Sequence, residues 1–397
     1  MSAPSIDDPW SIVHMTNLSG PVDLSKTYDP ASLAGKTILI TGGASGFGAA
    51  FARHWAAHGA HIVVGDVNDA LGEALVAELR TSPTARPDQF IAYQRCDVTS
   101  WADQVRLFRA AAAGSPTKRI DAVVAGAGIA DATASFDKPQ NLDDESAIPP
   151  PPPLRVLGVN LTGVMYTTHL ALHYLAQDKP AAGSAKRDRH LLLISSIAGL
   201  HGLPGQTEYT ASKHAVMGVF RALRAAAGLF NRPASKAAGS GGGGDNDDDE
   251  DVPLRVNVLC PYFVATPILT AATKALLAGA ALGEVEDVVD AATRLMADDG
   301  IRGRALVVGP KMRVVDVTEG DEYGETVRIV EGEPAVPGRP ERRQAVWEVY
   351  GHDYQRVEAF IWRYLAALNL MSGLRGWVGI VKDILGICFG GAGSRRG

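Results

Sequence analysis

The sequence has few cysteines and lacks the features of a secreted or membrane-spanning chain. Its 397 residues include only three cysteines, Cys96, Cys260 and Cys388, which lie far apart and lack metal-ligand spacing. We therefore expect structural thiols in a reducing compartment. No run of about eighteen apolar residues is free of charge, which argues against a membrane-spanning helix. Residues 1–20 lack the basic and apolar regions of a signal peptide, so we expect a cytoplasmic protein.

Basic clusters are also scarce. The net charge is −6 and no dense stripe of lysine and arginine is present, so we expect no nucleic-acid partner. The ten histidines are scattered without ligand spacing, so no metal site is predicted. What remains is the composition of a globular enzyme, with 46% hydrophobic and 21% charged residues.

Seven short runs rich in β-branched residues alternate with helical patterns between about Lys36 and Gly309. Their continuous apolar character is typical of parallel strands that are covered on both faces. The alternation predicts an α/β fold with a doubly wound, Rossmann-like parallel sheet of about seven strands. The predicted strands are residues 36–41, 61–66, 89–94, 121–126, 190–195, 254–259 and 304–309.

The composition divides the chain into three parts. We expect an N-terminal extension (1–32), the sheet domain (33–309) and a C-terminal extension (310–397). Two insertions interrupt the sheet domain. Residues 130–153 end in a proline run that excludes helix and inner strand. Residues 234–251 are glycine-rich and then acidic, which predicts a flexible, solvated loop without a function of its own.

A glycine-rich loop, "TGGASGFG" (41–48), lies between the first predicted strand and the first predicted helix. Glycines at these positions let the backbone turn tightly and approach a pyrophosphate, which the free N–H groups of the following helix would bind. This context makes the motif far more specific than glycine spacing alone. The predicted dinucleotide-binding residues of the loop are Thr41, Gly42, Ser45, Gly46, Phe47 and Gly48.

Asp66 closes the second predicted strand. A carboxylate at that position accepts hydrogen bonds from both ribose hydroxyls and repels a 2′-phosphate. No arginine or lysine occurs in the glycine loop or directly after Asp66. The sequence therefore predicts NAD rather than NADP, and we interpret the nearby Asp69 as a helix cap.

The stretch "YTASK" places Tyr209 and Lys213 one helical turn apart on the same face. An ammonium group at that distance favours the phenolate and lowers the pKa of the tyrosine, which suits it to exchange a proton with an alcohol. Such a pair also occurs by chance on surface helices. The other motifs must decide between these interpretations.

Taken in order, the motifs resemble the short-chain dehydrogenase/reductase family. They are the glycine loop, "CDVT" (96–99), "AGAG" (125–128), Asn160 in "VLGVNLTG", "ISSIAG" (194–199), "YTASK" (209–213) and "CPYFVATP" (260–267). The resemblance extends from about Leu33 to Gly309, about two-thirds of the chain. In detail it is closest to NAD-dependent alcohol dehydrogenases that act on lipids or fungal polyketides. It also implies a homo-oligomer, either a dimer or a tetramer.

The resemblance implies a role for each matching residue. Tyr209 resembles the general acid/base, and Lys213 the residue that lowers its pKa and holds the nicotinamide ribose. Ser196 would bind the substrate oxygen, whereas Ser195 would pack with its strand. By the same resemblance, Asn160 would position Lys213 through a water molecule. Asp97 and Val98 would contact the adenine ring of the cofactor, and Gly126 would lie beside the cofactor. Thr266 would hydrogen-bond the carboxamide of the nicotinamide.

The chain departs from the family at two places. The usual Asn-Asn-Ala-Gly is Ala125-Gly126-Ala127-Gly128, so two asparagines that tie neighbouring strands together are missing. We expect this change to affect stability at the cofactor edge more than chemistry. The usual Pro-Gly after the sixth strand is Pro261-Tyr262, which is expected to narrow the nicotinamide end of the pocket.

The substrate surroundings are predicted to be apolar. The stretch 267–283 is strongly apolar and indicates a hydrophobic small-molecule substrate, although it also fits a core segment. His201 follows Ser196 and is a candidate substrate contact, while His214 is expected to face a neighbouring helix. Three functions remain open: NAD-dependent oxidation of a secondary alcohol, reduction of a polyketide-like ketone, and a non-catalytic dinucleotide sensor or scaffold.

The C-terminal extension is predicted to be helical. Val346, Tyr350, Val357, Ile361, Tyr364 and Leu368 recur at helical intervals, and an apolar stretch follows. This segment either packs on the catalytic domain or a partner subunit, or lies in a membrane interface near a lipophilic substrate. The second alternative would make the protein membrane-associated.

Overall fold

The computed structural model describes residues 18–130, 151–152, 154–176, 187–230, 254–269, 279, 281–316, 327–331 and 341–350. These residues form a single nine-stranded sheet. Its strands are β1 (Thr37–Thr41), β2 (His61–Asp66), β3 (Ile91–Arg95), β4 (Ala122–Ala125), β5 (His190–Ile194), β6 (Arg255–Pro261), β7 (Ala305–Asp316), β8 (Val327–Ile329) and β9 (Glu341–Val349).

The first seven strands are parallel in the order β3-β2-β1-β4-β5-β6-β7. All seven predicted strands are confirmed. Strands β1, β2, β4, β5 and β6 are buried along nearly their whole length, as their apolar composition requires, whereas β3 at the edge of the sheet is only partly buried. The strand order reverses between β1 and β4. A doubly wound sheet binds ligands at this point, outside the carboxyl ends of its strands.

Helices cover both faces of the sheet. Helices α1 (Gly46–Ala57), α2 (Asp69–Thr81) and α6 (Val285–Ala297) bury their apolar stripes on one face. Helices α3 (Trp101–Gly114), α4 (Val164–Ala176) and α5 (Thr207–Phe230) cover the other. A π-helical turn, Gly158–Gly163, leads into α4, and short 3-10 turns occur at Pro30–Leu33 and Ile197–Gly199.

The cap of α2 differs from the prediction by one residue. Asn68 is the N-cap, and its Oδ1 accepts the N–H of Leu71 at 3.1 Å. The predicted cap, Asp69, is the first helical residue rather than the N-cap. Its carboxylate instead accepts hydrogen bonds from Tyr93 and Arg95.

The sheet continues past Gly309, where the sequence predicted the end of the sheet domain. Strand β7 extends to Asp316 and pairs in antiparallel fashion with β8 and β9. The predicted amphipathic helix that includes Val346 is therefore wrong over Glu341–Val349, which is a strand. The sheet has nine strands rather than about seven. The rest of the predicted helical tail, from residue 351, lies outside the described residues.

The strand β9 forms because β7 has a free edge that it can complete. Val346 packs on one face of the sheet, while Trp347 and Val349 pack on the other, as alternation in a strand requires. The same apolar spacing also fits a helix over such a short window. Pairing with β7 decides between the two, since tertiary contacts override local periodicity.

A buried ionic network at the amino end of the sheet fixes the position of α6. Arg255 is fully buried, and its guanidinium donates to both carboxylate oxygens of Asp188, at 2.6 and 2.7 Å. Lys36 donates to the same carboxylate at 2.8 Å. Arg255 also donates to the carbonyls of Leu295, Asp298 and Ile301, which satisfies the carboxyl end of α6.

Two cysteines are described, and both are buried free thiols. Burial raises the pKa of Cys96 and of Cys260 to about 12. Thiols with such a pKa are inert at neutral pH, which fits the structural role predicted for them. Over the described parts of the chain, no helix is long and apolar enough to cross a membrane. The insertion 234–251 and Cys388 lie outside the described residues.

Candidate active site

The glycine loop turns between β1 and α1 at the point where the strand order reverses. Gly42 and Gly46 have φ angles of +68° and +51°, a region that favours glycine. A Cβ atom on Gly48 would lie 2.3 Å from the carbonyl oxygen of Gly42, so the loop folds back on itself only with glycine at that position. Ser45 is the exposed N-cap of α1 and its hydroxyl makes no capping bond. These residues fit a pyrophosphate at the helix N-terminus.

Thr41 joins β1 to β4 at the cofactor edge. Its hydroxyl donates to the carbonyl of Val124 at 3.2 Å and accepts the N–H of Gly126 at 3.2 Å. A Cβ on Gly42 would lie 2.6 Å from the Cα of Ala127, so the ends of the two strands are in close contact. Thr41 thus makes inter-strand contacts in a region where the family's asparagines are missing.

Asp66 lies at the carboxyl end of β2 beside the glycine loop. Its Oδ2 accepts the N–H of Ala44, and its Oδ1 accepts the N–H of Asn68, each at 3.0 Å. These bonds fix the carboxylate beside the loop, where a ribose would bind. Arg95 is paired with Asp66 in the neighbouring strand, but its guanidinium donates to Asp69 and to the carbonyl of Val67.

Four predicted catalytic residues converge at the carboxyl ends of β4 and β5. The Nζ of Lys213 lies 5.6 Å from the ring centroid of Tyr209 and donates to the carbonyl of Ile194 at 3.1 Å. Asn160 is fully buried in the π-helical turn and binds both the N–H and the carbonyl of Ile129. A Cβ on Gly128 would lie 3.4 Å from Asn160 Oδ1 and 3.6 Å from Lys213 Nζ, so both side chains border one small space.

Ser196 completes the set from the end of β5. Its buried hydroxyl donates to the carbonyl of Pro261 at 3.4 Å and accepts the N–H of Ala198 at 3.2 Å, and its proximity tends to lower the pKa of Tyr209. Ser195 instead donates to the carbonyl of Lys213 at 3.0 Å, which links the end of β5 to helix α5. Thr266 lies next to the first residue of α1, since a Cβ atom on Gly46 would be 3.9 Å from the Thr266 Cβ.

The pKa values differ from the sequence prediction. Burial raises the pKa of Tyr209, and the hydrogen bond from Ser196 only partly offsets it. Burial also lowers the pKa of Lys213 to about 8. In the protein without its cofactor, desolvation dominates, so the net shift of the Tyr209 pKa is upward although Lys213 lies beside the ring.

The other residues predicted for the site are Asp97, Val98, His201 and His214. Val98 is buried, and Asp97 accepts hydrogen bonds from the N–H and the hydroxyl of Thr99. His201 is exposed, and His214 is also exposed rather than facing a neighbouring helix, with its ring bonded to the carbonyl of Thr210. Within the described ranges, no three His, Cys, Asp or Glu side chains cluster as a metal site would require.

Comparison with known proteins identifies the family. A family profile described as short chain dehydrogenase matches residues 36–230. The 5′-hydroxyaverantin dehydrogenase of Dothistroma septosporum is 34% identical over 302 residues, which cover 72% of this chain and 89% of that enzyme. The chain belongs to the short-chain dehydrogenase family. It is therefore an oxidoreductase of a family that binds a nicotinamide dinucleotide, as the motifs implied.

Further relatives agree on the family, and some of them are named as NADP-dependent. The 5′-hydroxyaverantin dehydrogenase of Emericella nidulans is 34% identical, over 73% of this chain and 89% of that enzyme. The NADP-dependent dehydrogenase M3 of a Phoma species is 32% identical, over 72% of this chain and 78% of that enzyme. The crystal structure of levodione reductase has the same fold, with a TM-score of 0.52 and 22% identity, over 70% of this chain and 97% of that chain.

Ser212, which belongs to the "YTASK" motif, is a site residue that its sequence pattern did not predict. Its buried hydroxyl donates to the carbonyl of Tyr209 at 2.7 Å and accepts the amide of Asn160 at 3.2 Å. Ser212 therefore links Asn160 to the helix that carries Tyr209. Its position between Tyr209 and Lys213 was the only signal in the sequence.

Proposed function

We propose that the protein oxidises a secondary alcohol on a hydrophobic lipid-like or polyketide-like molecule to a ketone, with NAD as the hydride acceptor. The observation that carries the proposal is the convergence of Ser196, Tyr209, Lys213 and Asn160 beside the glycine loop. Names of the relatives support the substrate class, since two of them are dehydrogenases of 5′-hydroxyaverantin.

The proposed chemistry separates proton handling from hydride transfer. NAD, when bound, supplies the acceptor for the carbinol hydride. Ser196 donates a hydrogen bond that positions the substrate oxygen. Tyr209, as the phenolate, removes the hydroxyl proton, so the C–H electron pair leaves as hydride and the C–O bond becomes a carbonyl. The products are the ketone, the reduced dinucleotide and a proton.

Lys213 and Asn160 support the base. The Nζ of Lys213 is close enough to Tyr209 to stabilise a phenolate electrostatically while it is charged, and its pKa of about 8 leaves it mainly protonated at neutral pH. The Asn160 side chain borders the space beside Gly128 that Lys213 also borders, and its Oδ1 accepts the N–H of Ile129. We propose that a water between Asn160 and Lys213 carries the proton from Tyr209 to solvent.

Asp66 supports NAD as the cofactor. Its carboxylate is held beside the glycine loop, where it would bind the ribose hydroxyls and repel a 2′-phosphate. Some relatives are named as NADP-dependent, so the preference needs a direct measurement. Steady-state kinetics with each cofactor and a panel of secondary alcohols test both parts of the proposal, since NADH fluorescence reports turnover. No reduction of NAD by any alcohol would contradict it.

The alternative is reduction of a ketone by the same residues. In that direction Tyr209 donates the proton, and its raised pKa favours the protonated form that a donor needs. The ratio of the forward and reverse kcat/KM at neutral pH discriminates between the two directions. A non-catalytic sensor is the less favoured candidate, because binding alone requires no proton path through Tyr209, Lys213 and Asn160.

Subunit association and membrane contact remain proposals. Trp101 and Met165 are 43% and 47% exposed on neighbouring helices, and Trp101 packs against Tyr166. Such an exposed aromatic face favours a homo-oligomer, either a dimer or a tetramer. Peripheral membrane contact through the tail lies outside the described residues. Gel filtration and liposome flotation test the two proposals.

A further inference from the structure

The side chain of Gln104 is fully buried on α3 and takes no part in the proposed chemistry. Its Nε2 donates to the carbonyl of Val98 at 2.7 Å and to the carbonyl of Gly163 at 2.9 Å. Its Oε1 accepts the hydroxyl of Thr167 at 2.8 Å. One amide group therefore joins α3 to three other segments: the loop after β3, the π-helical turn and α4.

The π-helical turn and the loop after β3 are in direct contact. A Cβ atom on Gly163 would lie 2.7 Å from Cγ2 of Val98 and 3.4 Å from its carbonyl oxygen, so only glycine allows this approach. A π-helical turn departs from the regular α-helical pattern of backbone bonds. Side-chain bonds to its backbone therefore help to fix its position, and Gln104 supplies one at the last residue of the turn.

The same turn carries Asn160, three residues before Gly163. The Oδ1 of Asn160 accepts the N–H of Ile129 at 2.8 Å, and its Nδ2 donates to the carbonyl of Ile129 at 2.9 Å. Because Gly163 and Asn160 belong to one turn, a shift of the Gly163 carbonyl would move the Asn160 side chain relative to Ile129. Gln104 can thus act on Asn160 through the backbone.

The other hydrogen of the Gln104 amide is bonded to a residue of the cofactor edge. Val98 is the predicted contact of the adenine ring and is buried against the turn. Its carbonyl is held by the same nitrogen that holds the carbonyl of Gly163. The adenine end of the dinucleotide site and the turn that carries Asn160 therefore share one side-chain support.

We propose that Gln104 is a positioning residue that keeps Asn160 in place by fixing the π-helical turn against the adenine end of the cofactor site. This inference rests on the proposed function, in which a water between Asn160 and Lys213 carries the proton from Tyr209 to solvent. Loss of the Gln104 bonds leaves the reacting groups themselves unchanged. It displaces Asn160, and a small displacement within a catalytic set lowers the rate.

The variant Gln104→Met keeps the length of the side chain and removes its three hydrogen bonds. Gln89→Met is the matched control, because Nε2 of Gln89 also donates to two carbonyls, those of Ala56 and Ala60, and its Oε1 accepts the N–H of Arg86. These bonds lie at the carboxyl end of α1, at the opposite edge of the sheet from the site. With NAD and a secondary alcohol, kcat should fall about tenfold or more in Gln104→Met, with KM for the alcohol unchanged. The control should keep both values.

A double variant separates an effect through Asn160 from an independent effect on the enzyme. Residues that act through one another have non-additive effects on the rate. In a chain that already carries Asn160→Ala, Gln104→Met should therefore lower kcat no further. A second tenfold loss in the double variant would overturn the inference.

Hydrogen exchange at the amide of Ile129 tests the link apart from turnover, because this N–H donates to Asn160. The amide should exchange about tenfold or more faster in Gln104→Met than in the wild type, and at the wild-type rate in Gln89→Met. If no alcohol is oxidised but this difference persists, the proposed function fails and the positioning of Asn160 by Gln104 stands. In an active enzyme, an unchanged kcat overturns the inference. An unchanged exchange rate at Ile129, or an equal acceleration at the amides of β1, overturns it in either case.

Discussion

Arg304 and Glu348 form an ion pair of 3.2 Å between Nη1 and Oε1 that joins the start of β7 to the end of β9. The two side chains are 5% and 12% exposed. Glu348 also accepts the N–H of Val22, so the N-terminal segment is held at the same point. This pair makes β9 an integral part of the catalytic sheet rather than a separate extension.

A truncation that removes β9 should therefore destabilise the protein. A chain ending at Gly338 would lose Glu348 and Trp347, whereas a chain ending at Tyr350 would keep them. Breaking a buried ion pair costs about 3–5 kcal/mol, so we expect a clearly lower melting temperature for the shorter chain only. Thermal unfolding of both truncations and the full chain measures this. Equal melting temperatures for the two truncations would show that β9 contributes little.

Replacement of Tyr209 by phenylalanine should abolish most of the activity. The variant lacks the hydroxyl that exchanges the proton, a contribution of about 100-fold or more in kcat. We expect NAD binding to persist, because the glycine loop and Asp66 are unchanged. Tyr28→Phe is the control, since its hydroxyl binds Asp290 of α6 and takes no part in the proposed chemistry. Near-normal turnover in Tyr209→Phe would refute the proposed mechanism.

The cofactor preference should depend on Asp66. We expect wild-type kcat/KM to favour NAD over NADP by about tenfold or more, and Asp66→Asn to reduce that ratio by removing the charge that repels a 2′-phosphate. Asp69→Asn is the control, because that carboxylate binds Tyr93 and Arg95. Equal use of both cofactors by the wild type would contradict the assignment.

The direction of catalysis should depend on pH in a predictable sense. A base must be deprotonated to act, and burial raises the pKa of Tyr209. The kcat/KM for alcohol oxidation should therefore rise with pH from neutral toward about 10, the ordinary pKa of tyrosine, while ketone reduction should fall. Initial rates in both directions across this range test the prediction. A flat oxidation profile would argue against Tyr209 as the base.

Loss of the charge on Asp188 should be strongly destabilising. Burial opposes its ionisation, but Arg255 and Lys36 outweigh burial and hold its pKa well below the usual range. Asp188→Asn would leave Arg255 buried without its counter-charge, at a cost of about 3–5 kcal/mol. The stability from Asp188 is present above its unfolded pKa of about 4 and is lost as pH falls through the lowered folded value.

Urea unfolding at several pH values measures this contribution. Glu78→Gln, which breaks an exposed pair with Arg53, should have little effect and serves as the control. A small change in Asp188→Asn at neutral pH would mean that the network adds nothing net to the free energy of unfolding.

The seven parallel strands and the set of site residues were predictable because both depend on local pattern. Buried parallel strands need continuous apolar runs, and a pyrophosphate turn needs glycine at particular positions. The structure brings Tyr209, Lys213, Ser196 and Asn160 together at one edge of the sheet, whereas their catalytic roles stay predictions. The sequence alone determined this much, since each signal lies within a few neighbouring residues.

Only the tertiary structure decided the rest. Val346 and Trp347 fit a helix or a strand by spacing, and the open edge of β7 selects the strand. The sign of the Tyr209 pKa shift depends on how much of the ring is buried, which no spacing of residues reveals. The antiparallel pairing of β7 with β8 and β9 joins segments far apart in the chain. Such contacts depend on the assembled sheet rather than on any local preference.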